Sequence, residues 1–216
     1  MACQFNLNVV FLDPKDDKRA LLAAAEVGIS GATVLYGLGT NASKLLNMLG
    51  IDQLRKEIML LVAHESLSEP FHKELHKALE LNKHGHGLAI TMPLVRVLGL
   101  NELTGECWKG AGSMEHELIT IIVDNGRADD IIAAARKGGA RGATTLHGHG
   151  TASDKAAKFF NLEIEPEKEV ILIVAAADEA EKIISAVRAV HEFEGPNSGV
   201  LFSVDVSKVT GLFKPT

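Results

Sequence analysis

The sequence predicts an α+β protein built from two tandem modules, each with an antiparallel sheet. Two observations predict it. The chain repeats itself: residues 31–40 recur as residues 142–151, and residues 7–13 match residues 118–124 at the same spacing. Within each copy, apolar runs and helical spacings alternate in the order strand, helix, strand, connector, strand, helix, strand. That order is the ferredoxin-like βαββαβ motif, and a repeat of this length indicates a duplicated domain because solenoid units span only about 20–50 residues.

The repeat also sets the predicted domain boundaries. We expect a first module over residues 1–100 and a second over residues 115–216, joined by a linker over residues 101–114. The linker is rich in glycine and polar residues and lacks periodicity. A chain of 216 residues is long enough for each module to bury a core of its own.

The elements of the first copy follow in a regular order. An apolar run over residues 5–12 predicts the first strand, which Asp13-Pro14 would end with a turn. Apolar residues at helical spacing predict a helix over residues 16–27, and Gly28 is placed to stop it. The remaining elements are strands over residues 32–36, 57–63 and 88–98 and a helix over residues 66–82.

The second copy repeats this order. Its predicted strands cover residues 117–123, 143–147, 169–176 and 200–209, and its predicted helices cover residues 127–137 and 178–193. Residues 171–174 are apolar at every position, so neither face of the sheet is expected to meet water. Open sheet edges and a second apolar face favour symmetric assembly. We therefore expect a homo-oligomer.

Composition and charge exclude several classes of protein. The net charge is −6, so no basic surface is expected for nucleic acid or an anionic membrane. The start of the chain does not read as a signal peptide, and no apolar run reaches the ~18 residues of a membrane span. Cys3 and Cys107 suit an intracellular chain with reduced thiols rather than a disulfide framework. We expect a cytoplasmic protein.

Catalytic residues are not predicted. Asp13 and Asp124 recur in both copies, but each directly follows a strand, where a turn or a helix cap explains it. The sequence contains no nucleophile–base arrangement, no Walker-type Gly-Lys-Ser motif and no paired carboxylates. These patterns indicate a binding protein rather than an enzyme.

Three segments carry a resemblance to a known family. Residues 28–33 and residues 139–144 each lead into a Gly-x-Gly, and residues 199–209 place a glycine loop before a final strand with a basic residue after it. With these segments the chain resembles the P-II nitrogen-regulatory signalling family, once per module, as a tandem-duplicated P-II-like protein. The resemblance implies compact trimers that bind adenine nucleotide in clefts between modules and present the long connector to partner proteins.

The resemblance also implies effector-binding and partner-binding residues. The glycines would allow close backbone approach, and the threonine and basic side chains would contact the ligand. The implied effector-binding residues are Thr33, Gly37, Gly39, Gly87, Arg96, Thr144, Gly148, Gly150, Gly199 and Lys208. The connectors, residues 40–56 and 151–168, would contact a protein partner, with membrane proteins among the candidate targets. Within them, residues 43–50 and 153–160 read as short capped helices. We expect three chains per assembly.

Departures from the family pattern leave the effector unidentified. The glycine loops, residues 84–87 and 195–199, lack the family's phosphate-binding lysine, and the basic cluster after the last strand is reduced to Arg96 and Lys208. A triphosphate needs several charge-assisted donors, so adenine nucleotide stays one candidate and a metal another. Tyr36, the only tyrosine, precedes the connector, so uridylylation of the connector is not expected.

Histidines distinguish the two copies. The second Gly-x-Gly carries His147-x-His149, whereas the first glycine loop carries His84-x-His86. Alternate residues of an extended chain face the same way, and the resemblance would bring all four imidazoles to one cleft. Three interpretations stay open: a transition-metal site, an anion site shared with glycine N–H groups, or polar surface residues.

Regulation is the function that these patterns favour most. A P-II-like sensor would bind a small effector, for which a nucleotide is one candidate, in clefts between modules and control a partner protein. The alternative is a trimeric metal-binding protein of the CutA type, which shares the fold, and a third is an interaction protein with empty clefts. His72 and His76 have a spacing that can chelate a metal, but a solvated helix face is favoured.

Overall fold

The structure is a computed structural model, and it describes residues 4–40, 53–83, 86–100, 107–108, 114–151, 166–193 and 198–212. Its strands are β1 (Phe5–Leu12), β2 (Thr33–Thr40), β3 (Gln53–His64), β4 (Leu88–Pro93), β5 (Arg96–Leu98), β6 (Cys107–Trp108), β7 (His116–Asp124), β8 (Thr144–Gly150), β9 (Glu167–Ala176) and β10 (Val200–Val206). Its helices are α1 (Asp17–Glu26), α2 (Glu65–Leu79), α3 (Ala128–Lys137) and α4 (Ala177–Arg188), and a single 3-10 turn, Pro14–Asp16, precedes α1. The predicted α+β class is confirmed. The connector helices expected at residues 43–50 and 153–160 lie outside the described residues.

The chain divides into two compact units. The amino-terminal unit contains Asn6–Met92 and Gly148–Ala152. The carboxy-terminal unit contains Pro93–His147 and Ser153–Thr216, together with Met1–Phe5. In the described ranges, none of the helices combines the length and the apolar character that a membrane crossing requires.

The amino-terminal unit has the ferredoxin-like arrangement. Its strands lie in the order β4-β1-β3-β2, with β2 and β3 antiparallel. Helices α1 and α2 pack against each other and share one core with alternate residues of the strands. The largest buried side chains of that core are Leu12, Met59, Leu61, Phe71, Leu75 and Leu79. After α1, Gly28 adopts the left-handed backbone, at φ +90°, that commonly ends a helix.

The carboxy-terminal unit repeats the arrangement and extends it. Strands β8, β9, β7 and β10 lie in the corresponding order, and β5 and then β6 continue the sheet beyond β10. The pairs β9–β7, β7–β10, β10–β5 and β5–β6 are all antiparallel. The core combines side chains from the strands and from both helices: Ile119, Ile121, Ile131, Ile171, Ile173, Ile183 and Ile184 are buried together.

The predicted extent of one strand was wrong. Residues 88–98 were expected to form a single strand, but the chain leaves β4 after Pro93 and enters β5 at Arg96. Between them, Val95 donates its backbone N–H to the carbonyl of Ser203 at 2.9 Å, which brings β5 against β10. Proline has no N–H for a further ladder bond, so the strand cannot simply continue through Pro93.

The linker and the boundary between the compact units also differ from those predicted from the sequence. Cys107–Trp108 forms β6 and pairs with β5, so part of the expected irregular linker is a short strand. The compact units divide the chain at Pro93, whereas the repeat places the boundary after residue 100. The boundaries of the two modules in the repeat stay a prediction.

The acidic residue at the end of the first strand pairs with an equivalent lysine in each copy. Asp13 pairs with Lys56 in the amino-terminal unit. Asp124 lies 2.5 Å from Nζ of Lys168 in the carboxy-terminal unit, opposite it in the β7–β9 register. These ion pairs fix the edge where the first and third strands of each copy meet, which gives both aspartates a structural role.

Candidate functional site

Strand β2 pairs with the end of β8, which places two of the predicted residues, Thr33 and Gly150, opposite each other. Within the amino-terminal unit, Thr33 pairs with Gly150, and Leu35 pairs with Gly148. The pairing ends at Thr151, whose N–H donates to the carbonyl of Ala32 at 2.9 Å and whose Oγ1 accepts from Ala32 N–H at 3.0 Å. Thr33 is buried, so its contribution here is to this strand pair.

Gly148 is required by the close approach of β2. A Cβ atom at this position would lie 2.2 Å from the carbonyl oxygen of Val34 and 2.8 Å from Cδ2 of Leu35. Real Cβ atoms do not approach a backbone carbonyl so closely, and a neighbouring strand cannot give way cheaply. The sequence predicted backbone approach at this glycine; the structure shows that the approaching group is the backbone of β2.

Tyr36 and His149 form the most specific side-chain contact of this region. The Tyr36 hydroxyl lies 2.8 Å from Nδ1 of His149, and the ring centroids are 5.3 Å apart. Tyr36 is 67% exposed, whereas His149 is only 7% exposed. The buried imidazole is therefore covered by a phenol ring that itself faces solvent, and the tautomer of His149 decides which group donates.

His147 has a different environment from His149. Its side chain is 72% exposed, and its Nε2 lies 3.8 Å from Oε1 of Glu169. The other oxygen of Glu169 accepts the backbone N–H groups of Gly126, Arg127 and Ala128, at 2.8–3.0 Å. Glu169 thus satisfies the donors at the start of α3, where a negative charge is also favourable. The exposed imidazole of His147 lies beside this carboxylate.

Two further described histidines of the prediction, His72 and His86, have partners of their own. Nδ1 of His86 lies 2.9 Å from the carbonyl oxygen of Leu79, and His84 lies outside the described residues. Nε2 of His72 lies 2.8 Å from the hydroxyl of Thr91. In the described part of the chain, no group of three or more His, Cys, Asp or Glu side chains is placed to hold a metal.

Gly37 and Gly39 lie on β2 opposite β3. A Cβ at Gly39 would come within 2.7 Å of Cγ of Lys56, so this glycine leaves a path for the lysine side chain, which pairs with Asp13. A Cβ at Gly37 would meet nothing closer than 3.7 Å. Of the two, Gly39 is therefore explained by packing, whereas Gly37 has room for a larger residue.

Gly87 and Gly199 occupy equivalent turns before β4 and β10. Their φ angles are +119° and +102°, a backbone region that favours glycine. A Cβ would lie 2.6 Å from the carbonyl of Phe11 at Gly87 and 2.5 Å from that of Ile122 at Gly199. Both glycines are therefore required by the approach of the first strand of their own copy.

The two basic residues of the prediction differ completely in their surroundings. Arg96 is 1% exposed, and its Nε lies 3.0 Å from Oε2 of Glu117. The hydroxyl of Ser203 donates to the same carboxylate at 2.6 Å. The guanidinium is therefore held inside the carboxy-terminal unit rather than presented to a ligand, contrary to the expectation. Lys208, after β10, is exposed, as is Thr144 at the start of β8.

Two carboxylates with structural roles were not predicted from the sequence. Glu117 and Glu169 are both buried, and each begins or precedes an apolar run. A charged residue next to such a run can equally face solvent, so its burial depends on partners far away in the chain. Glu169 aligns with Glu57, also buried, and this agreement between copies is the signal that could have identified it.

Comparison with known proteins finds a similarity for the second copy. The family model described as nitrogen regulatory protein P-II matches residues 116–212. The match covers slightly less than half of the chain, and it relates this second copy to the P-II family. Among solved structures, a PII protein of Arabidopsis thaliana bound to citrate is similar, with 18% sequence identity over 51% of this chain and 95% of that chain and a TM-score of 0.38. No curated protein matches the sequence.

The P-II module contains about half of the residues predicted to bind an effector. Thr144, Gly148, Gly150, Gly199 and Lys208 all lie within the matched range. The match also starts at β7 and extends past β10, so it covers one complete βαββαβ set. The resemblance is confirmed for this module. The first copy lies outside the matched residues, and its origin by duplication of a P-II module stays a proposal.

Proposed function

We propose that this protein is a P-II-type signalling regulator in which both copies are P-II modules. The observation that carries the proposal is the P-II match over residues 116–212, in a unit whose strand order is the same as that of the other copy. In this proposal, the chain binds a small effector and changes the activity of a protein partner. The protein acts in the cytoplasm as a homo-oligomer, for which we propose three chains.

The charge distribution supports an effector with fewer charges than a nucleoside triphosphate. Arg96 is neutralised by Glu117 and is buried, which leaves Lys208 as the exposed basic residue among the predicted contacts. Several charge-assisted bonds would be needed to hold a triphosphate. We propose a ligand such as a nucleoside monophosphate or another small anion, bound by Lys208, the Thr144 hydroxyl and backbone N–H groups.

The connectors provide the proposed route from effector to partner. Strand β8 begins at Thr144 and ends at Gly150, so the connector over residues 151–168 follows directly on from it. An effector held at Thr144 would therefore act on the segment that continues from β8. We propose that ligand binding changes the position or the order of connectors 40–56 and 151–168, and that a partner protein recognises one of the two states.

Calorimetric titration tests the effector. The purified protein is titrated with ATP, ADP, AMP, cyclic dinucleotides, Zn²⁺ and Cu²⁺, and we expect saturable binding of at least one nucleotide. Lys208→Ala should weaken that binding by about tenfold, or ~1.4 kcal/mol, because a charge-assisted bond is lost. Lys182→Ala, which removes an exposed lysine from α4, is the matched control and should bind as the parent protein does.

The remaining outcomes of that titration contradict the proposal. Silence towards every nucleotide would remove the basis for a nucleotide effector. Zn²⁺ or Cu²⁺ binding that disappears in the His147→Ala, His149→Ala variant would instead favour a metal-binding protein of the CutA type. Equal weakening by Lys208→Ala and Lys182→Ala would show that the loss reflects net charge and not a site.

A further inference from the structure

The edge strands of the two copies differ in what covers them. In the carboxy-terminal unit, β10 pairs with β7 on one side and with β5 on the other. In the amino-terminal unit, the corresponding strand β4 has β1 as its neighbour and is the last strand of the order within the described residues. Unpaired N–H and C=O groups on such an edge are a template for another strand.

The side chains show the same difference. Phe202 of β10 is 1% exposed, whereas Ile90, at the corresponding position of β4, is 38% exposed. Leu88, at the start of β4, is 57% exposed. Exposed apolar side chains along an unpaired edge strand indicate a surface that another chain covers.

The segment that would cover β4 is indicated by the repeat itself. Strand β5 and the residues after it read Arg96-Val97-Leu98-Gly99-Leu100, and the chain after β10 reads Lys208-Val209-Thr210-Gly211-Leu212. Valine, glycine and leucine recur at the same places, and lysine stands for arginine. We refer to residues 208–212 as the tail segment.

The backbone of the tail segment has the shape of its counterpart. Gly99 has a φ of +84° and Gly211 a φ of +89°, both in the left-handed region that favours glycine. A Cβ at Gly99 would lie 2.2 Å from the carbonyl of Gly199, the turn before β10, whereas a Cβ at Gly211 would meet nothing within 4 Å. The tail segment therefore has the same turn but lacks the neighbouring loop that the turn fits.

From these observations we propose that the tail segment of one chain adds as an antiparallel strand to β4 of a second copy of this chain. The β5–β10 register, with Val97 opposite Phe202, transfers to Val209 opposite Ile90. Gly211 then lies against the turn at Gly87, as Gly99 lies against Gly199. The contact covers the exposed apolar side chains of β4 with Val209 and pairs the open edge.

The proposed contact between chains lacks the buried ion pair that accompanies the β5–β10 contact within the chain. The position that corresponds to Glu117 is Asn6, so Lys208 meets no carboxylate there, and it would lie opposite Thr91. The buried ion pair that accompanies β5 is therefore not repeated. We expect the assembly to be reversible and to depend on protein concentration. This proposal does not depend on the effector, and assembly is measured in the absence of ligand.

Disulfide trapping between separate chains tests the pairing. In a Cys3→Ser, Cys107→Ser background, chains with Ile90→Cys and tagged chains with Val209→Cys are mixed and oxidised. Directly opposite strand residues lie within disulfide reach, so a mixed disulfide should form. Lys208→Cys replaces Val209→Cys in the control mixture, and this one-residue slip points the thiol to the other face and should lower the yield by about tenfold.

The outcomes of trapping are unambiguous. No mixed disulfide, or equal yields from the two mixtures, would overturn the proposal. A chain carrying both Ile90→Cys and Val209→Cys should form its disulfides between chains, with a yield that falls as the protein is diluted. Efficient closure within one chain would instead show that the tail segment pairs with its own β4.

Sedimentation velocity provides a test without cysteines. Val209→Pro removes a backbone N–H and blocks strand pairing, so the dissociation constant of the assembly should rise by about tenfold or more. Val209→Thr keeps the β-branched shape and the N–H and should assemble as the parent protein does. Unchanged assembly of Val209→Pro would contradict the proposal. Circular dichroism verifies that both variants remain folded.

Discussion

Arg96 and Glu117 form an ion pair that solvent scarcely reaches, with Nε 3.0 Å from Oε2 and Nη2 3.2 Å from Oε1. The pair joins β5 to β7 across β10, and Ser203 of β10 donates to the same carboxylate. Two charges removed from water are tolerated because each compensates the other, and the Ser203 hydroxyl adds a hydrogen bond to the carboxylate. The pair therefore anchors β5 in the sheet of the carboxy-terminal unit.

Breaking this pair should be costly. Glu117→Gln leaves the Arg96 guanidinium buried without its counter-charge and should lower the free energy of unfolding by about 3–5 kcal/mol. Replacing both residues by methionine should cost much less, because no uncompensated charge remains. Urea unfolding of the two variants measures the difference. A loss below about 1 kcal/mol in Glu117→Gln would contradict the assigned role.

The carboxylate of Glu169 should stabilise the start of α3. Glu169→Ala leaves three backbone N–H groups without their acceptor, and we expect a loss of about 1–3 kcal/mol in the free energy of unfolding. Glu167→Ala is the control, since Glu167 accepts one bond from Asn125 at an exposed position. Hydrogen exchange should locate the effect at Gly126, Arg127 and Ala128. Equal losses in both variants would argue against a capping role.

A single methyl group at Gly148 should disturb the pairing of β2 with the end of β8. Gly148→Ala places Cβ against the carbonyl of Val34, and we expect a destabilisation of about 1–3 kcal/mol. A Cβ at Gly142 would meet nothing within 4 Å, so Gly142→Ala is the matched control and should be tolerated. Thermal unfolding compares the two. Similar melting temperatures would show that the strands separate without cost.

The hydroxyl of Tyr36 should hydrogen-bond to Nδ1 of His149 in solution. Tyr36→Phe keeps the ring contact but removes the 2.8 Å hydrogen bond. Because Tyr36 is largely exposed, we expect the loss in stability to lie near the lower end of about 0.5–1.5 kcal/mol. The ¹⁵N chemical shifts of the His149 ring should change, whereas those of exposed His147 should not. Unchanged His149 shifts would mean that the hydrogen bond is not formed in solution.

Glu80 provides a prediction about pH. The hydrogen bond from Lys83 and then the positive charge of Lys83 lower the pKa of Glu80 below its ordinary value. A lowered pKa in the folded state stabilises the protein above the unfolded pKa, and this contribution disappears as the pH falls through the folded pKa. Lys83→Met should raise the pKa of Glu80 in an NMR titration. Lys77→Met, whose lysine pairs with Glu74, should leave it unchanged.

Most of the fold follows from local patterns that both copies share. The strand over residues 5–12 and the helix at Ala128–Lys137 could be predicted because each has a clear period and a turn signal at its end. The division of residues 88–98 could not. Whether the chain stays beside β1 or crosses to β10 depends on a strand about a hundred residues away, and the apolar pattern is the same in both cases.

The candidate site could also be predicted only in part, because local patterns do not identify contacts with distant residues. The glycines could be identified because few other residues allow close backbone approach, yet the sequence does not say what approaches. At Gly148 it is β2, and at Gly39 it is the side chain of Lys56. Arg96 was expected to meet a ligand because it is a basic residue after a strand. The carboxylate that neutralises Arg96 belongs to Glu117, in the second module of the sequence. Only folding brings these two side chains together.

The place of β5 in the carboxy-terminal unit determines where the chain can be divided into fragments. The junction of the repeat and the junction of the folded units are different points on the chain. A cut at residue 100 would remove β5 from the carboxy-terminal unit and Gly148–Ala152 from the amino-terminal unit. Neither half of the chain, produced alone from such a cut, would therefore contain its complete compact unit.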